Sequence, residues 1–223
     1  MQPINEELLH GIEKYIEDLF VPSDAALEQN LKDADAAGLP AIAVAPDQGR
    51  LIYILAKMSG AKRILEIGTL GGYSTTLLAR ALPKDGKLVT LEMSPAHAAV
   101  ARKNLDRAGV GELVEIRVGR AGDTLNSMIG AGEESFDLVF IDADKTGYVG
   151  YLNQVLQLSH PGTVILADNL IRHGDILHAT PPDEMAAGVK AFNALIATHP
   201  RLESILLPIL KGKVDGMSIS RVK

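Results

Sequence analysis

From residue 62 onward, short apolar runs alternate with segments of helical character. The apolar runs cover residues 63–67, 87–91, 113–118, 136–141 and 163–167, and candidate helices lie near 74–82, 95–108, 122–130, 148–158 and 184–198. Because the runs are apolar throughout rather than alternating, they are typical of parallel strands covered on both faces. Such strand–helix alternation predicts repeated βαβ crossovers, and therefore a doubly wound α/β fold with a mostly parallel sheet.

The two ends of the chain add further elements to this core. Apolar residues at helical spacing predict a first helix from Ile4 to Phe20, a second that begins at a Ser23 cap and ends near Ala37, and a third over residues 46–60. Apolar runs at 204–210 and 217–222 flank a turn-rich segment and predict a C-terminal antiparallel hairpin. We therefore expect one domain over residues 1–223, with a helical lid and interface segment at 1–60 and an α/β core at 61–223.

Composition excludes several classes of protein. The 223 residues are 47% hydrophobic and 22% charged, as in ordinary globular domains, and the net charge is −6 (22 basic against 28 acidic residues). Basic residues occur at most in pairs, which disfavours nucleic acid and anionic membranes as partners. The absence of cysteine excludes disulfide scaffolds, thiolate zinc sites and cysteine nucleophiles. With no signal-peptide pattern and no membrane-length apolar run, a soluble cytoplasmic protein is expected.

A glycine-rich loop follows the first predicted strand. Gly68, Gly71 and Gly72 allow the backbone to lie against a ligand, and Ser74 can open the next helix with free N–H groups that face the site. The spacing differs from the G-x-G-x-x-G of dinucleotide folds, and Glu66 is awkward beside a pyrophosphate. The loop therefore favours a ligand with a positive centre, with an ordinary tight turn as the alternative.

The next two strands end at positions that suit a nucleoside. Glu92, at the end of the second strand, can accept hydrogen bonds from both hydroxyls of a ribose; the alternative is a solvated surface glutamate. The small residues of segment 118–123, which follows the third strand, could admit a flat adenine ring.

Oxygen-bearing side chains follow the fourth and fifth strands. Asp142, Asp168 and Asn169 would surround one crevice, where they would repel one another unless a cation lay among them. An oxygen-only set selects Mg²⁺, Mn²⁺ or Ca²⁺, although Asp and Asn are also common as caps and turn residues. Lys145 is either a solvated turn residue or, beside a metal, a base that works near neutral pH. His173 and His178 lack a second ligand at helical spacing and are expected at the surface or behind the ligands.

Three segments together resemble a known family. Residues 66–74 (Glu-Ile-Gly-Thr-Leu-Gly-Gly-Tyr-Ser), 141–145 (Ile-Asp-Ala-Asp-Lys) with Tyr148, and the pair 168–169 (Asp-Asn) are similar to the cation-dependent O-methyltransferases, which include catechol and caffeoyl-CoA O-methyltransferases. The similarity runs from about Leu39 to the Val-Asp-Gly of residues 214–216. It implies a Rossmann-like class I methyltransferase fold, S-adenosylmethionine as cofactor and a homodimer.

The resemblance also implies roles for individual residues. Glu66 and Gly68 would border the methionine part of the cofactor, Ser74 would meet its carboxylate, and Asp144 its amino group. The cofactor set implied by the motifs is Val44, Glu66, Gly68, Tyr73, Ser74, Glu92, Ala121, Asp142 and Asp144, with Glu92 on the ribose, Ala121 on the adenine and Val44 reaching from the lid. Asp142, Asp168 and Asn169 match the metal ligands. Lys145 and Asp142 match the catalytic residues, with Lys145 as the proposed general base.

The implied reaction is cation-dependent transfer of a methyl group to a hydroxyl of a small vicinal-dihydroxy acceptor, catechol-like or caffeoyl-like. Departures from the catechol branch concern the acceptor: the chain has no Trp, Ile209 stands where that branch has an acid, and Arg120 replaces a small residue of some members. The alternatives are a methyltransferase that acts on RNA or protein, an NAD-dependent oxidoreductase, and a non-catalytic S-adenosylmethionine-binding sensor.

Overall fold

The structure, a computed structural model, describes residues 6–210 and 214–223. The helices are α1 Glu6–Phe20, α2 Ala25–Ala36, α3 Pro46–Ser59, α4 Tyr73–Ala81, α5 Pro95–Arg107, α6 Ala121–Gly130, α7 Tyr148–Val155 and α8 Glu184–Thr198. The strands are β1 Arg63–Ile67, β2 Lys87–Glu92, β3 Val114–Val118, β4 Phe136–Ile141, β5 Ser159–Ala167, β6 Leu202–Leu210 and β7 Val214–Val222. Short 3₁₀ turns cover Gly111–Leu113, Lys145–Gly147 and, with a kink, Arg172–Leu177.

All seven strands form one sheet, in the order β3-β2-β1-β4-β5-β7-β6. β1 to β5 pair in parallel, whereas β7 runs antiparallel between β5 and β6. The predicted fold class, a mostly parallel doubly wound sheet with a C-terminal antiparallel hairpin, is confirmed.

The sheet separates two apolar cores, which explains why its strands are apolar throughout. Along β1, Leu65 and Ile67 belong to one core and Ile64 to the other, and all three are fully buried. Helices α6, α7 and α8 cover the first face, and α3, α4 and α5 cover the second. Burial of large aliphatic side chains on both faces stabilises each strand by about 2 kcal/mol per side chain.

The helices before β1 pack on the second face of the core. α1 lies against α3, and α2 lies against α4 and α5. The cap of α2 is Asp24, whose carboxylate accepts from the N–H groups of Ala26 and Leu27; the prediction of a Ser23 cap is therefore wrong. Asp24 also forms an ion pair with Arg80 of α4, a contact that the sequence does not reveal.

Several boundaries differ from the predictions. α4 begins at Tyr73 after a left-handed Gly72, so Ser74 lies inside the helix rather than opening it. β3 begins one residue late, because Leu113 closes a 3₁₀ turn. β5 begins at Ser159, four residues before the predicted start, and its register with β4 shifts there.

The hairpin strands are also longer than predicted, because they pair from Leu202 with Val222 to Leu210 with Val214. Ile4 and the predicted turn residues 211–213 lie outside the described residues.

The carboxyl ends of the three central strands lie side by side. Ile67 pairs with Ile141, and Ile141 pairs with Ala167. The ladder continues by one residue, since the N–H of Asp142 donates to Ile67 (2.9 Å) and that of Asp168 donates to Ile141 (3.0 Å). Gly68, Asp142 and Asp168 therefore follow one another along this edge at the strand spacing of about 4.8 Å.

Candidate active site

Gly68 brings the backbones of two strand ends into contact. Its φ is +104°, and a Cβ at this position would lie 2.1 Å from the carbonyl oxygen of Asp142. Any side chain would push β1 and β4 apart at the point where the predicted ligands gather. This position accepts only glycine.

The rest of the glycine loop is held from outside by two buried amides. Asn30 of α2 and Asn104 of α5 both donate to the carbonyl oxygen of Gly71, at 3.0 and 2.9 Å. Leu70, at φ +49°, takes a left-handed conformation that is strained for a non-glycine residue and needs such support, whereas Gly72 adopts φ +84° without strain. The loop is therefore shaped by the protein itself before any ligand arrives. Sequence reasoning missed both asparagines, because isolated asparagines within helices give no signal.

Glu66 is fully buried at the end of β1. Its carboxylate accepts from the hydroxyls of Ser74 (2.6 Å), Thr75 (2.5 Å) and Thr90 (2.7 Å). Desolvation outweighs these three donors and raises the pKa of Glu66 from 4.5 to about 7, with a smaller contribution from the charge of Asp142. The predicted cofactor residues Glu66 and Ser74 are thus brought together, and the threonines around them were not predicted.

Glu92 braces the glycine loop from β2. Its Oε2 accepts from the N–H groups of Thr69 (3.3 Å) and Leu70 (2.9 Å), and its Oε1 accepts from the N–H of Ser94 (2.8 Å). The side chain is buried, so the alternative of a solvated surface glutamate is wrong. A carboxylate has about four acceptor positions, so capacity for a ribose hydroxyl remains.

Three further predicted cofactor residues lie on the two faces of the sheet, Val44 and Tyr73 on one and Ala121 on the other. Val44 and Tyr73 are buried in the second core, and both approach Gly49 of α3. Burial, followed by nearby carboxylates, raises the pKa of Tyr73 to about 12, so its phenol stays neutral at physiological pH. Ala121 is the half-buried first residue of α6.

Lys145 joins the ends of β4 and β5. Its side chain is 10% exposed, and its Nζ lies 2.9 Å from Asp142 Oδ1 and 2.7 Å from the hydroxyl of Tyr148. That hydroxyl lies within donating distance of two backbone carbonyls, of Ile141 (3.2 Å) and of Asp168 (3.1 Å). The amine of Lys145 is thus buried and fixed beside Asp142, and the alternative of a solvated turn lysine is wrong.

Burial and the neighbouring carboxylates raise the pKa of Tyr148 well above its usual value. Its hydroxyl therefore remains a neutral donor and acceptor between Lys145 and the strand ends.

Asp168 and Asn169 lie next to this group. Asp168 is 1% exposed, and Asn169 has a left-handed backbone (φ +59°) with its Nδ2 3.2 Å from Asp215 Oδ2. A cavity of about 230 Å³ opens here; it is lined by Lys145, Asn169, Arg172, His173 and Asp215. His173 is exposed at the surface and also lines this cavity, so it lies at the edge of the site.

The side chain of Asp144 has hydrogen-bond partners different from those of Asp142 and Lys145. Its Oδ1 accepts from the hydroxyl of Tyr151 at 2.5 Å and its Oδ2 from that of Thr146 at 3.2 Å. The hydrogen bond and the charge of Asp144, after burial, raise the pKa of Tyr151 above its usual value. Asp144 is therefore bonded to α7 and to the turn before it, on the exposed side of the strand end.

The donor set of the strand ends fits a hard cation. Asp142 and Asp168 supply carboxylates and Asn169 an amide, all oxygen donors of the kind that Mg²⁺, Mn²⁺ or Ca²⁺ prefers. Residues 6–210 and 214–223 contain no group of three His, Cys, Asp or Glu side chains placed to hold a metal. Asp142, besides its ion pair with Lys145, is one-fifth exposed and so remains accessible from the edge of the sheet.

Comparisons with known proteins show the family of the chain. A family model described as O-methyltransferase matches residues 21–222. The chain belongs to the O-methyltransferase family. The resemblance that the motifs indicated is therefore confirmed, and with it the predicted class of enzyme, an S-adenosylmethionine-dependent O-methyltransferase.

Individual relatives align with this methyltransferase over nearly its whole length. A protein of Niastella koreensis named catechol O-methyltransferase is 44% identical over 99% of this chain and 100% of its own. One of Mycobacterium tuberculosis with the same name is 43% identical over 95% of each chain. The crystal structure of an O-methyltransferase from Bacillus cereus in complex with SAH is 42% identical, with a TM-score of 0.95 over 98% of this chain and 100% of that one.

Within the described parts of the methyltransferase, no helix combines the length and the apolar character needed to cross a bilayer.

Proposed function

We propose that this methyltransferase transfers the methyl group of S-adenosylmethionine to one hydroxyl of a small vicinal-dihydroxy acceptor, catechol-like or caffeoyl-like. The proposal includes a divalent cation, Mg²⁺ or else Mn²⁺ or Ca²⁺, held by Asp142, Asp168 and Asn169. The observation that carries it is the adjacency of Asp142 to Asp168 and Asn169 at the ends of β4 and β5, with the buried Nζ of Lys145 2.9 Å from Asp142. Lys145 and Asn169 also line one cavity. The two relatives named catechol O-methyltransferase support an acceptor of this size and chemistry.

On the cofactor side, we propose that S-adenosylmethionine lies along the glycine loop. Glu66 and Gly68 would face the methionine part with Ser74 and Asp144, and Glu92 would face the ribose. The adenine would lie against Ala121, and Val44 and Tyr73 would close the site from the helices before β1. The burial of Glu66 and the bracing of the loop by Glu92 support a preformed site.

The bound cation would lower the pKa of an acceptor hydroxyl and S-adenosylmethionine would supply an electrophilic methyl group, which leaves alignment and proton removal to the protein. Lys145, as the neutral amine, would take the proton of the hydroxyl onto Nζ. Asp142 at 2.9 Å and the Tyr148 hydroxyl at 2.7 Å would then stabilise the ammonium that forms. Tyr148 keeps Nζ at the cavity by anchoring it to the ends of β4 and β5.

Calorimetry and a chelation assay test this function. The protein is expected to bind S-adenosylmethionine and not NAD. Methyl transfer to caffeate or another diol is expected to vanish with EDTA and to return with Mg²⁺. Activity that survives chelation would contradict the cation site, and binding of the cofactor without transfer to any diol would favour an RNA or protein acceptor, or a sensor.

We propose further that the protein is a homodimer in which residues 1–60 act as lid and interface. In support, α1 exposes the large apolar side chains of Ile12, Tyr15, Leu19 and Phe20. Light scattering is expected to give twice the chain mass, and Leu19→Asp with Phe20→Asp is expected to lower it. A monomeric wild-type protein would contradict the dimer.

A further inference from the structure

The acidic residue of the Val-Asp-Gly segment at 214–216 is part of the site although it lies on the antiparallel strand β7. Asp215 is 7% exposed. Its Oδ1 accepts from the N–H groups of Ile171 (3.1 Å), Arg172 (3.0 Å) and Gly216 (2.8 Å), and its Oδ2 accepts from Asn169 Nδ2 (3.2 Å). One buried carboxylate thus accepts hydrogen bonds from three backbone N–H groups and one side-chain amide.

These contacts stabilise a backbone that would otherwise be strained. Asn169, Arg172 and His173 have φ values of +59°, +48° and +56°, each of which costs a non-glycine residue about 1 kcal/mol or more. The N–H of Leu170 donates to the carbonyl of Gly216 at 2.8 Å, and a Cβ on Gly216 would lie 2.6 Å from Ile171. The segment after β5 is therefore shaped by close contact with residues 215–216.

The contact with Asn169 has a chemical consequence. The two ends of an asparagine amide are nearly identical in shape, and the partners of each end decide the orientation. An ionised carboxylate only accepts, so Asp215 requires the NH₂ end of Asn169 on its side. The Oδ1 of Asn169 is thereby turned away from Asp215.

From this geometry we propose that Asp215 is a positioning residue which selects the amide orientation of Asn169 that presents oxygen, and not nitrogen, to the cation. The inference rests on the proposed function, because it needs a cation at Asn169. Partners of this kind, which orient a ligand without touching the metal, typically change metal affinity 10- to 100-fold when they are replaced.

The test is the affinity of the apoprotein for Mn²⁺, measured by electron paramagnetic resonance without acceptor or cofactor. Asp215→Asn keeps an oxygen for the three backbone donors but places an NH₂ group opposite the NH₂ of Asn169. The amide of Asn169 then has to turn, and its nitrogen faces the cation. We expect Mn²⁺ affinity to fall at least about 10-fold, while the melting temperature and the affinity for S-adenosylmethionine change little.

A reciprocal variant tests the orientation itself. In Asn169→Asp with Asp215→Asn, the NH₂ of residue 215 donates to a carboxylate at 169, so the hydrogen bond is restored with reversed polarity. We expect this double variant to recover most of the affinity lost in Asp215→Asn. Asp175→Asn is the charge-matched control, since Asp175 pairs with Arg172 at 3.8 Å in the same segment, and we expect a change below about threefold.

The outcomes separate the two proposals. If the wild-type protein binds no Mn²⁺, both the cation site and the positioning role are wrong. If the wild type binds Mn²⁺ and Asp215→Asn binds it equally well, or if Asp175→Asn loses as much affinity, the cation site stands and the positioning role is overturned. A double variant no tighter than Asp215→Asn would also overturn it.

Discussion

The buried carboxyl group of Glu66 makes the stability of this protein depend on pH in a direction opposite to that of most glutamates. Glu66 has no exposed surface, and burial raises its pKa from 4.5 to about 7. In the unfolded chain it releases its proton near pH 4.5, whereas in the folded protein it retains the proton up to about pH 7. Between these values the folded state binds more protons than the unfolded state, so stability falls as the pH rises.

The size of this effect follows from the shift. A rise of the pKa from 4.5 to about 7 corresponds to a loss of about 3 kcal/mol of folding free energy across the window. The loss is complete above pH 7, where both states are ionised. Glu66→Gln has nearly the same shape and cannot ionise. The hydroxyls of Ser74, Thr75 and Thr90 can rotate to satisfy its amide.

The assay is urea unfolding of both proteins from pH 4.5 to 8.5, without cofactor and with EDTA. Other titrating groups, such as His160, whose pKa is raised by hydrogen bonds to Pro161 and Asp137, are common to both proteins and cancel in the difference. We expect the stability of the wild type relative to Glu66→Gln to decrease by about 3 kcal/mol between pH 4.5 and 7 and then to level off. A difference that is constant across this range, or that increases with pH, would refute the assignment of a raised pKa to Glu66.

Three further substitutions test the site. Lys145→Ala is expected to lower kcat much more than the affinity for S-adenosylmethionine, because Lys145 acts on the acceptor proton; equal losses would mean a structural role. Gly68→Ala is expected to destabilise by more than about 2 kcal/mol in urea unfolding, since its Cβ would lie 2.1 Å from Asp142, while Gly109→Ala, at a similarly positive φ but in open space, is expected to cost about 1 kcal/mol. Tyr148→Phe is expected to lower turnover and to destabilise by about 1–3 kcal/mol, because the hydroxyl that accepts from Lys145 and donates to one of two backbone carbonyls is lost; a turnover equal to that of the wild type would show that the hydroxyl does not hold Lys145.

The main features of the fold could be predicted because they depend on local patterns. Continuous apolar runs predict parallel strands covered on both faces, and the parallel arrangement places the residues after β1, β4 and β5 at one edge. The juxtaposition of Asp142, Asp168 and Asn169 follows from that arrangement. Their proposed ligation of a cation remains a prediction.

What escaped prediction depends on contacts between distant parts of the chain. The start of β5 is set by Thr163, whose hydroxyl accepts from the N–H of His160 and donates to the carbonyl of Phe136. The cap of α2 is Asp24, one residue after the predicted Ser23, and it also pairs with Arg80 of α4. Such contacts leave no periodic signal in the sequence, since each partner is ordinary in its own segment.

Asp215 is an example within the site of a long-range contact that the sequence does not predict. Its Val-Asp-Gly segment reads as part of a turn-rich hairpin, and its carboxylate reaches a residue 46 positions earlier only because β7 enters the sheet beside β5.

The late insertion of β7 has a consequence for the synthesis of the protein. While the ribosome is still making residues before 214, β5 has no neighbour on its outer side, and its unpaired N–H and C=O groups can capture strands of other chains. A nascent chain at that stage already contains every proposed cofactor and metal residue, yet it lacks the carboxylate that fixes Asn169. The complete site thus forms only after β7 has been synthesised. Translation products that stop before β7 are expected to aggregate rather than to show partial activity.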